Sequence, residues 1–349
     1  MVPRIGETVA MKIDTIMFSP DLSTVPGQVT DAETFGYDGF WSAETSHDPF
    51  LPLTLAAEHS TDIELGTAIA VAFARNPMSM AYLAHDLQSY SGRFILGLGS
   101  QIKPHIEKRF SMEWSHPARR MREYIEAMHA IWDAWSDGTP LRFKGEFYTH
   151  LLMTPFFAPP PSPHGKPRVF VAAVGPMMTR VAGEVADGLM AHGFTTESYM
   201  RDVTVPTLRE GALAAGRDPG DVKIALPVFV VTGRDDEDMA ASRHAVKLQI
   251  AFYGSTPAYR GVLDHHGWGD VQDSLNAMSK RGEWDQMAGV ITDEMLDAFA
   301  VSGTPDAVGR QIVERYGDIA DRISFYTRPD GHEPEILTPI VSALRDSER

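Results

Sequence analysis

The chain has 349 residues, 43% of them hydrophobic and 22% charged, enough for one large barrel or two ordinary domains with a full apolar core. A formal net charge of −16 argues against nucleic acid as the main partner, because neutralising phosphates takes a concentrated basic face. The absence of cysteine excludes disulfides, thiolate nucleophiles and Cys-ligated metal or iron–sulfur sites, and it fits a reducing compartment.

No apolar run approaches the roughly 18 residues of a membrane span, and no apolar signal-peptide core precedes the first strand-like run, so the expected location is the cytoplasm. From there, strand-like and helix-like segments alternate. Lys12 to Phe18 reads as a strand and Gln28 to Phe35 as a helix. Asp38 to Trp41 is the second strand and is followed by a helix over Leu51 to His59. Strand Ile63 to Val71, helix Met78 to Tyr90 and strand Phe94 to Leu98 come next. The helix that closes the fourth unit carries Met121, Tyr124, Ile125, Met128, Ile131, Trp132 and Trp135 at three- and four-residue spacing, an apolar stripe expected in the core. Further strands are expected at Val169 to Ala173, Gly188 to Ala191, Val222 to Val231 and Arg322 to Tyr326.

Eight strands alternating with helices favour a (β/α)8 TIM barrel over a doubly wound sheet, whose dinucleotide fingerprint is absent. Two stretches fall outside the bare repeat. Residues 136–166 carry Gly145, Pro155, Pro159, Pro160, Pro161 and Pro163, with Pro167 directly after them, and should form an extended loop, and residues 254–303 read as a partly helical insertion between strands 7 and 8 of a single domain spanning the chain.

Barrel chemistry sits where strands end and loops begin. After the second strand, Glu44 and His47 are candidates for proton transfer or for holding a polar cofactor edge, while Asp48 or Ser46 is expected to cap the next helix with Pro49 at its start. After the third, Gly66 to Val71 is a run of small residues against which a flat ring could press. The segment Gly97-Leu98-Gly99-Ser100-Gln101 after the fourth strand combines two glycines with the neutral hydrogen-bonding groups of Ser100 and Gln101. After the fifth, Gly175-Pro176 stops the strand and starts a helix, so that the N–H groups of Met177, Met178 and Thr179 could favour a phosphate; an ordinary strand-to-helix turn is the competing reading. No G-x-S-x-G elbow, P-loop or His-Glu-x-x-His occurs, and a metal site is not expected. The pair His265-His266 reads as solvated or loop-shaping.

Five stretches in order resemble the bacterial luciferase-like superfamily, and within it the coenzyme F420-dependent oxidoreductases. They are Phe35 to Glu44 (FGYDGFWSAE), Leu65 to Ile69 (LGTAI), Arg75-Asn76-Pro77, Ser91 to Ser100 (SGRFILGLGS), and Gly175-Pro176 through Asp187-Gly188. The resemblance implies a (β/α)8 barrel with a deazaflavin or flavin across its C-terminal mouth, Ala68 and Ile69 behind the ring, and a non-proline cis peptide between them. It further implies that Ser100 and Gln101 bond the ring edge or ribityl chain, that Gly175, Pro176, Met177 and Thr179 hold the phosphate, and that Glu44 lies near the reactive face. Lys103, Lys108, Arg109 and Arg180 are the local cations that a polyanionic glutamyl tail would meet. Sugar-phosphate dehydrogenase relatives carry a Gly-Glu pair after the fourth strand and an Asp-His pair after the second; here those places hold Gln101-Ile102 and Glu44-Thr45, which argues against that substrate.

The implied reaction is hydride exchange between F420 and a small organic substrate, with Glu44 or His47 handling the proton. An FMNH2-dependent monooxygenase is the alternative within the superfamily, and a non-catalytic flavin or deazaflavin carrier is the alternative outside enzymology. Aromatic residues of the insertion, Phe252, Tyr253, Tyr259 and Trp268 with His265 and His266, suggest an apolar or planar substrate. A homodimer or higher homo-oligomer is expected from the resemblance.

Overall fold

The computed structural model describes residues 11–17, 21–326 and 334–346. Phe18, the last residue of the first expected strand, and the N-terminal segment lie outside them. The described residues divide into two compact units, one within 14–190 and 207–223, the other within 11–13, 191–206 and 224–346.

The first unit carries β1 (Lys12–Met17, from Asp14 onward), α1 (Val25–Thr34), β2 (Gly39–Ser42), α2 (Phe50–Glu58), β3 (Glu64–Thr67) and β4 (Ala70–Val71). It continues through α3 (Pro77–Ser91), β5 (Phe94–Gly99), α4 (Pro117–Asp137), the short β6 (Phe143–Lys144) and β7 (Thr149–His150), β8 (Arg168–Ala173), α5 (Pro176–Val185) and β9 (Gly188–Ala191). Its main strands lie side by side in the order β1-β2-β3-β5-β8-β9, and the pairs from β1 to β8 are parallel. Where the sequence suggested one strand from Ile63 to Val71, the chain makes two. β3 pairs β2, β4 pairs the end of β5, and a cis Ala68–Ile69 peptide lies between them.

Two close approaches explain two small residues of the strands, one of them, Gly66, in the run read as open to a flat ring. A Cβ on Gly66 would lie 2.4 Å from the Trp41 ring, and one on Gly188 would lie 2.6 Å from Phe170, so these glycines make room for two large core rings whose centroids are 6.3 Å apart. The seven apolar residues of the α4 stripe are buried, as their spacing predicts, and Trp132 Nε1 donates to Ala81 O at 3.1 Å.

The stretch 136–166 contains a local hairpin that its proline content hides. Glu123 of α4 accepts the amides of Glu146 at 2.8 Å, Phe147 at 2.7 Å and Tyr148 at 2.6 Å, and so holds the turn between antiparallel β6 and β7. A second carboxylate does the same at another turn. Glu33 accepts from Thr61 N and Ile63 N at 3.0 Å and from Asp62 N at 2.6 Å.

The second unit carries most of β10 (Lys223–Val231), then β11 (Ala300–Ser302) and β12 (Arg322–Tyr326), with β10 parallel to both neighbours. Residues 254–303 are largely helical, with helices at Arg260–His265, Gly269–Arg281 and Asp293–Phe299, and they end in β11. His265 and His266 shape this region. His266 stacks on Trp268 at 4.4 Å and meets Thr196 Oγ1 at 2.8 Å, while His265 Nε2 lies 3.3 Å from Asp202.

Candidate functional site

The singled-out residues of the first unit follow the C-terminal ends of four strands that are consecutive in the sheet, β2, β3, β5 and β8. Ligands of parallel sheets bind at this edge, because the βα loops there can vary without disturbing the core.

After β2, the Glu44 carboxylate is buried and engaged. Its Oε2 accepts Val71 N and Arg75 Nη1, both at 2.7 Å, and its own amide donates to Ile69 O at 3.3 Å. The other Arg75 nitrogen reaches Asp48 Oδ2 at 2.9 Å, and the guanidinium lies over the Phe50 ring at 5.5 Å. Asp48 also receives Phe50 N at 2.9 Å, but the cap position of α2 is Pro49, one residue after Asp48, and not the Asp48 or Ser46 expected there. Glu44 is therefore first an anchor that ties the loops after β2 and β3 together, and Oε1 is the oxygen with no hydrogen bond among the described residues. His47 is exposed on the same loop, clear of this network. Sequence reasoning passed over Ser42, whose Oγ is buried without a hydrogen-bond partner at the end of β2. Its place as the last strand residue was the available signal.

After β3, the Ala68–Ile69 peptide is cis, as the resemblance implies, and Ala68 N donates to Ser42 O at 2.8 Å. In the last half of β5, the two glycines serve packing against the end of β3 and the cis-peptide segment. A Cβ on Gly97 would sit 1.8 Å from Thr67 O, and one on Gly99 would sit 2.6 Å from Ile69 Cδ1. Thr67 Oγ1 closes this contact by donating to Gly97 O at 2.7 Å. Ser100 and Gln101 are half-buried; Ser100 Oγ donates to Gln101 O at 3.2 Å, and Gln101 has a left-handed backbone with φ 58°. Left-handed backbone is uncommon for a residue with a side chain. Ser111 (φ 55°) and His116 (φ 40°) share it, so the whole connection from β5 to α4 follows an unusual path.

After β8, Pro176 takes the first helical position and Gly175 the cap, with φ −88° and nothing within 4 Å of a built Cβ. Thr179 differs from expectation. Its amide and hydroxyl both donate to Gly175 O, at 3.2 and 3.1 Å, because the hydroxyl turns back on its own helix. That leaves the Met177 and Met178 amides as the helix-end donors, with the Met177 side chain exposed. The expected cations are largely engaged. Arg180 pairs with Glu184 at 3.2 Å, Lys103 with Glu107 at 3.7 Å, and Arg109 donates to Thr45 O.

Among the described residues no helix is long and apolar enough to cross a membrane. The family model described as luciferase-like monooxygenase matches residues 6–322. A Mycobacterium tuberculosis protein without assigned activity is 55% identical over 308 residues, 86% of this chain and 91% of its own. The 5,10-methylenetetrahydromethanopterin reductase of Methanolobus tindarius is 30% identical, covering 81% of this chain and 83% of the enzyme. Among solved structures, the F420-dependent tetrahydromethanopterin reductase of Methanopyrus kandleri aligns with a TM-score of 0.76 at 21% identity, over 95% of this chain and 97% of that one. An F420-dependent secondary alcohol dehydrogenase bound to an F420–acetone adduct aligns with a TM-score of 0.74 at 19% identity, over 96% of this chain and 99% of that one. EDTA monooxygenase from Chelativorans shares the fold as well, with a TM-score of 0.72 at 17% identity over 97% and 94% of the two chains. With the match to the family model running over nearly its whole length, the chain is a (β/α)8 barrel of the luciferase-like monooxygenase family.

Proposed function

We propose that the protein is an oxidoreductase that exchanges hydride between the deazaflavin coenzyme F420 and a small organic substrate. The observation that supports it best is the gathering of the loops after β2, β3, β5 and β8 at one sheet edge, in a chain similar over more than four fifths of its length to 5,10-methylenetetrahydromethanopterin reductases and sharing its fold with an F420-dependent tetrahydromethanopterin reductase. When bound, the deazaflavin supplies the hydride-accepting and hydride-donating carbon.

The residues fit such a group. The open Gly175 cap with the Met177 and Met178 amides would hold the phosphate at the start of α5, with Pro176 fixing the helix direction. Thr179 would support this donor pair from behind, by locking the first turn through Gly175 O. Ser100 and Gln101 would bond the ring edge or ribityl chain, and Ala68 and Ile69 would back the ring. Glu44 would position the loop ends and offer Oε1 to the ligand side, while exposed His47 would move the proton. A homodimer is part of the proposal, and Leu151, Leu152, Phe156 and Phe157 form an exposed apolar segment in the proline-rich stretch.

The flavin reading is supported by the description of the matching family as luciferase-like monooxygenase and by the shared fold of EDTA monooxygenase. Titrating cofactor-free protein with F420 and separately with FMN, by tryptophan fluorescence corrected for ligand absorption, decides between them. Preference for F420 supports hydride transfer. Preference for FMN moves the assignment to a monooxygenase, and binding of neither removes the phosphate assignment at α5.

A further inference from the structure

The second unit holds a polar-aromatic cluster that the cofactor reading does not use. His192 directly follows β9, and its ring lies 4.5 Å from Tyr253 and 4.8 Å from Tyr259. Phe194 packs against Tyr259 at 6.0 Å, and Phe229 of β10 against Tyr326 of β12 at 5.2 Å. Tyr326 and Tyr253 join through their hydroxyls.

The hydrogen bonds of His192 are directional. The Phe194 amide donates to Nδ1 at 2.9 Å, and an amide N–H can only donate, so Nδ1 is the acceptor nitrogen of the ring. The neutral ring then carries its proton on Nε2. Burial holds the imidazole in that form, pulling its pKa from 6.5 down to about 4. Nε2 has no hydrogen-bond partner among the described residues. It is thus a fixed, uncharged donor set among aromatic faces just beyond the end of a barrel strand, with a side chain that is only half-buried. A second polar atom of the same loop, Thr195 Oγ1, is buried and also unpartnered. A buried polar group left without a partner, as Thr195 Oγ1 is, costs stability, and an accessible N–H donor three residues before it at the strand end gives a ligand two polar groups to meet.

We propose that His192 Nε2–H is the recognition donor for an uncharged oxygen acceptor, a ketone or alcohol oxygen, on an apolar ring-sized ligand held by Tyr253 and Tyr259, which Phe194 backs from the core. The chemistry disfavours an anion. The ring contacts of His192 are tyrosines, and a neutral imidazole offers a carboxylate no counter-charge. The assignment goes beyond the cofactor reading and stands without it.

The test is calorimetric titration of the full chain with acetophenone, ethylbenzene and benzoate, which share a ring and differ in the oxygen group. Acetophenone is expected to bind in preference to benzoate, and His192→Phe to weaken it about tenfold while leaving ethylbenzene within about twofold. His192→Gln, which retains an N–H donor, should recover part of the loss. In a nitrogen-labelled wild-type sample, acetophenone should shift the His192 Nε2–H resonance and ethylbenzene should not, a readout independent of how any variant folds. Equal acetophenone affinity in wild type and His192→Phe, preference for benzoate, an unmoved Nε2–H resonance, or no binding of any of the three overturns the proposal. None of these readings needs F420, so retained F420 affinity in His192→Phe separates failure here from failure of the proposed function.

Discussion

Glu44 Oε2 and Arg75 Nη1 stand 2.7 Å apart with little solvent access, and the same oxygen holds the Val71 amide at 2.7 Å. One carboxylate oxygen therefore fixes the loop after β2 to the strand that follows the cis peptide. Stripping the charge from a buried pair leaves its partner uncompensated, which costs about 3–5 kcal/mol when the partner has no other counter-ion. Arg75 retains Asp48, so Glu44→Gln should cost less, about 1–3 kcal/mol. A double-mutant cycle with Arg75→Met, read by urea denaturation, should show coupling of the same sign, and additive losses would mean the pair is incidental. With substrate in hand, Glu44→Gln should lower turnover more than F420 affinity.

The glycines after the strands separate into those the fold needs and one it does not. Gly97→Ala drives a methyl to 1.8 Å from the Thr67 carbonyl, which belongs to the backbone and cannot rotate away, so this variant should lose several kcal/mol or fail to accumulate as folded protein. Gly175→Ala meets open space at an ordinary φ and should change stability by no more than about 0.5 kcal/mol. If the helix start after β8 holds a phosphate, the same methyl should weaken F420 binding in a protein whose melting temperature is unchanged. Unaltered affinity would point the phosphate elsewhere.

These two glycines also mark where the sequence stopped being readable. The clearest barrel strands were legible as runs of β-branched and aromatic residues ending in a turn signal, as in Val169 to Ala173 before Gly175-Pro176, and shorter ones such as Gly188 to Ala191 from their place in the alternation. The division of Ile63 to Val71 into β3 and β4 was not legible from the apolar run itself, which continues through the break. Nor was the use of Gly97, since a glycine reserved for a neighbouring carbonyl and one reserved for a ligand look alike in one dimension. The backbone bond of Thr179 was not legible for a related reason. A hydroxyl near a helix start can serve a ligand or its own backbone, and only the Gly175 O contact distinguishes them. The insertion's Tyr253 and Tyr259 were noticed as aromatic, whereas His192, alone after a short strand, gained meaning only from the rings folded over it.

Glu123 offers a prediction that the proline-rich composition conceals. Its carboxylate takes three consecutive amides at the β6–β7 turn, and a Cβ on Gly145 would fall 2.1 Å from its Oε1, so the turn is built around the acid. Glu123→Ala should destabilise by about 2–4 kcal/mol, and Glu123→Gln by less, because the amide keeps one acceptor oxygen. Limited proteolysis should then cut first within residues 143–150. Unchanged proteolysis would show that the aromatic contact of Tyr124 with Tyr148, 5.4 Å between centroids, holds the hairpin by itself.

The acid limb of stability should have two separable parts. His192 is held neutral by burial, with its pKa reduced from 6.5 to about 4, so the unfolded chain takes up a proton that the folded chain refuses. Stability from this residue is complete above pH 6.5 and is lost as pH falls from there toward 4, by no more than about 3 kcal/mol. Glu33 acts lower. Burial pushes its carboxyl up, but the amides of Asp62, Ile63 and Thr61 and the Arg93 charge together outweigh that, leaving it below 4.5. Its contribution is present above pH 4.5 and disappears as pH falls through the lowered value. Urea denaturation at a series of pH values should therefore show His192→Phe flattening the slope between pH 6.5 and 4 while the steeper loss below it remains. Glu33→Gln should do the reverse. If His192→Phe leaves the upper slope intact, the imidazole is solvated enough to titrate normally, and its Nε2–H is then no fixed donor near neutral pH.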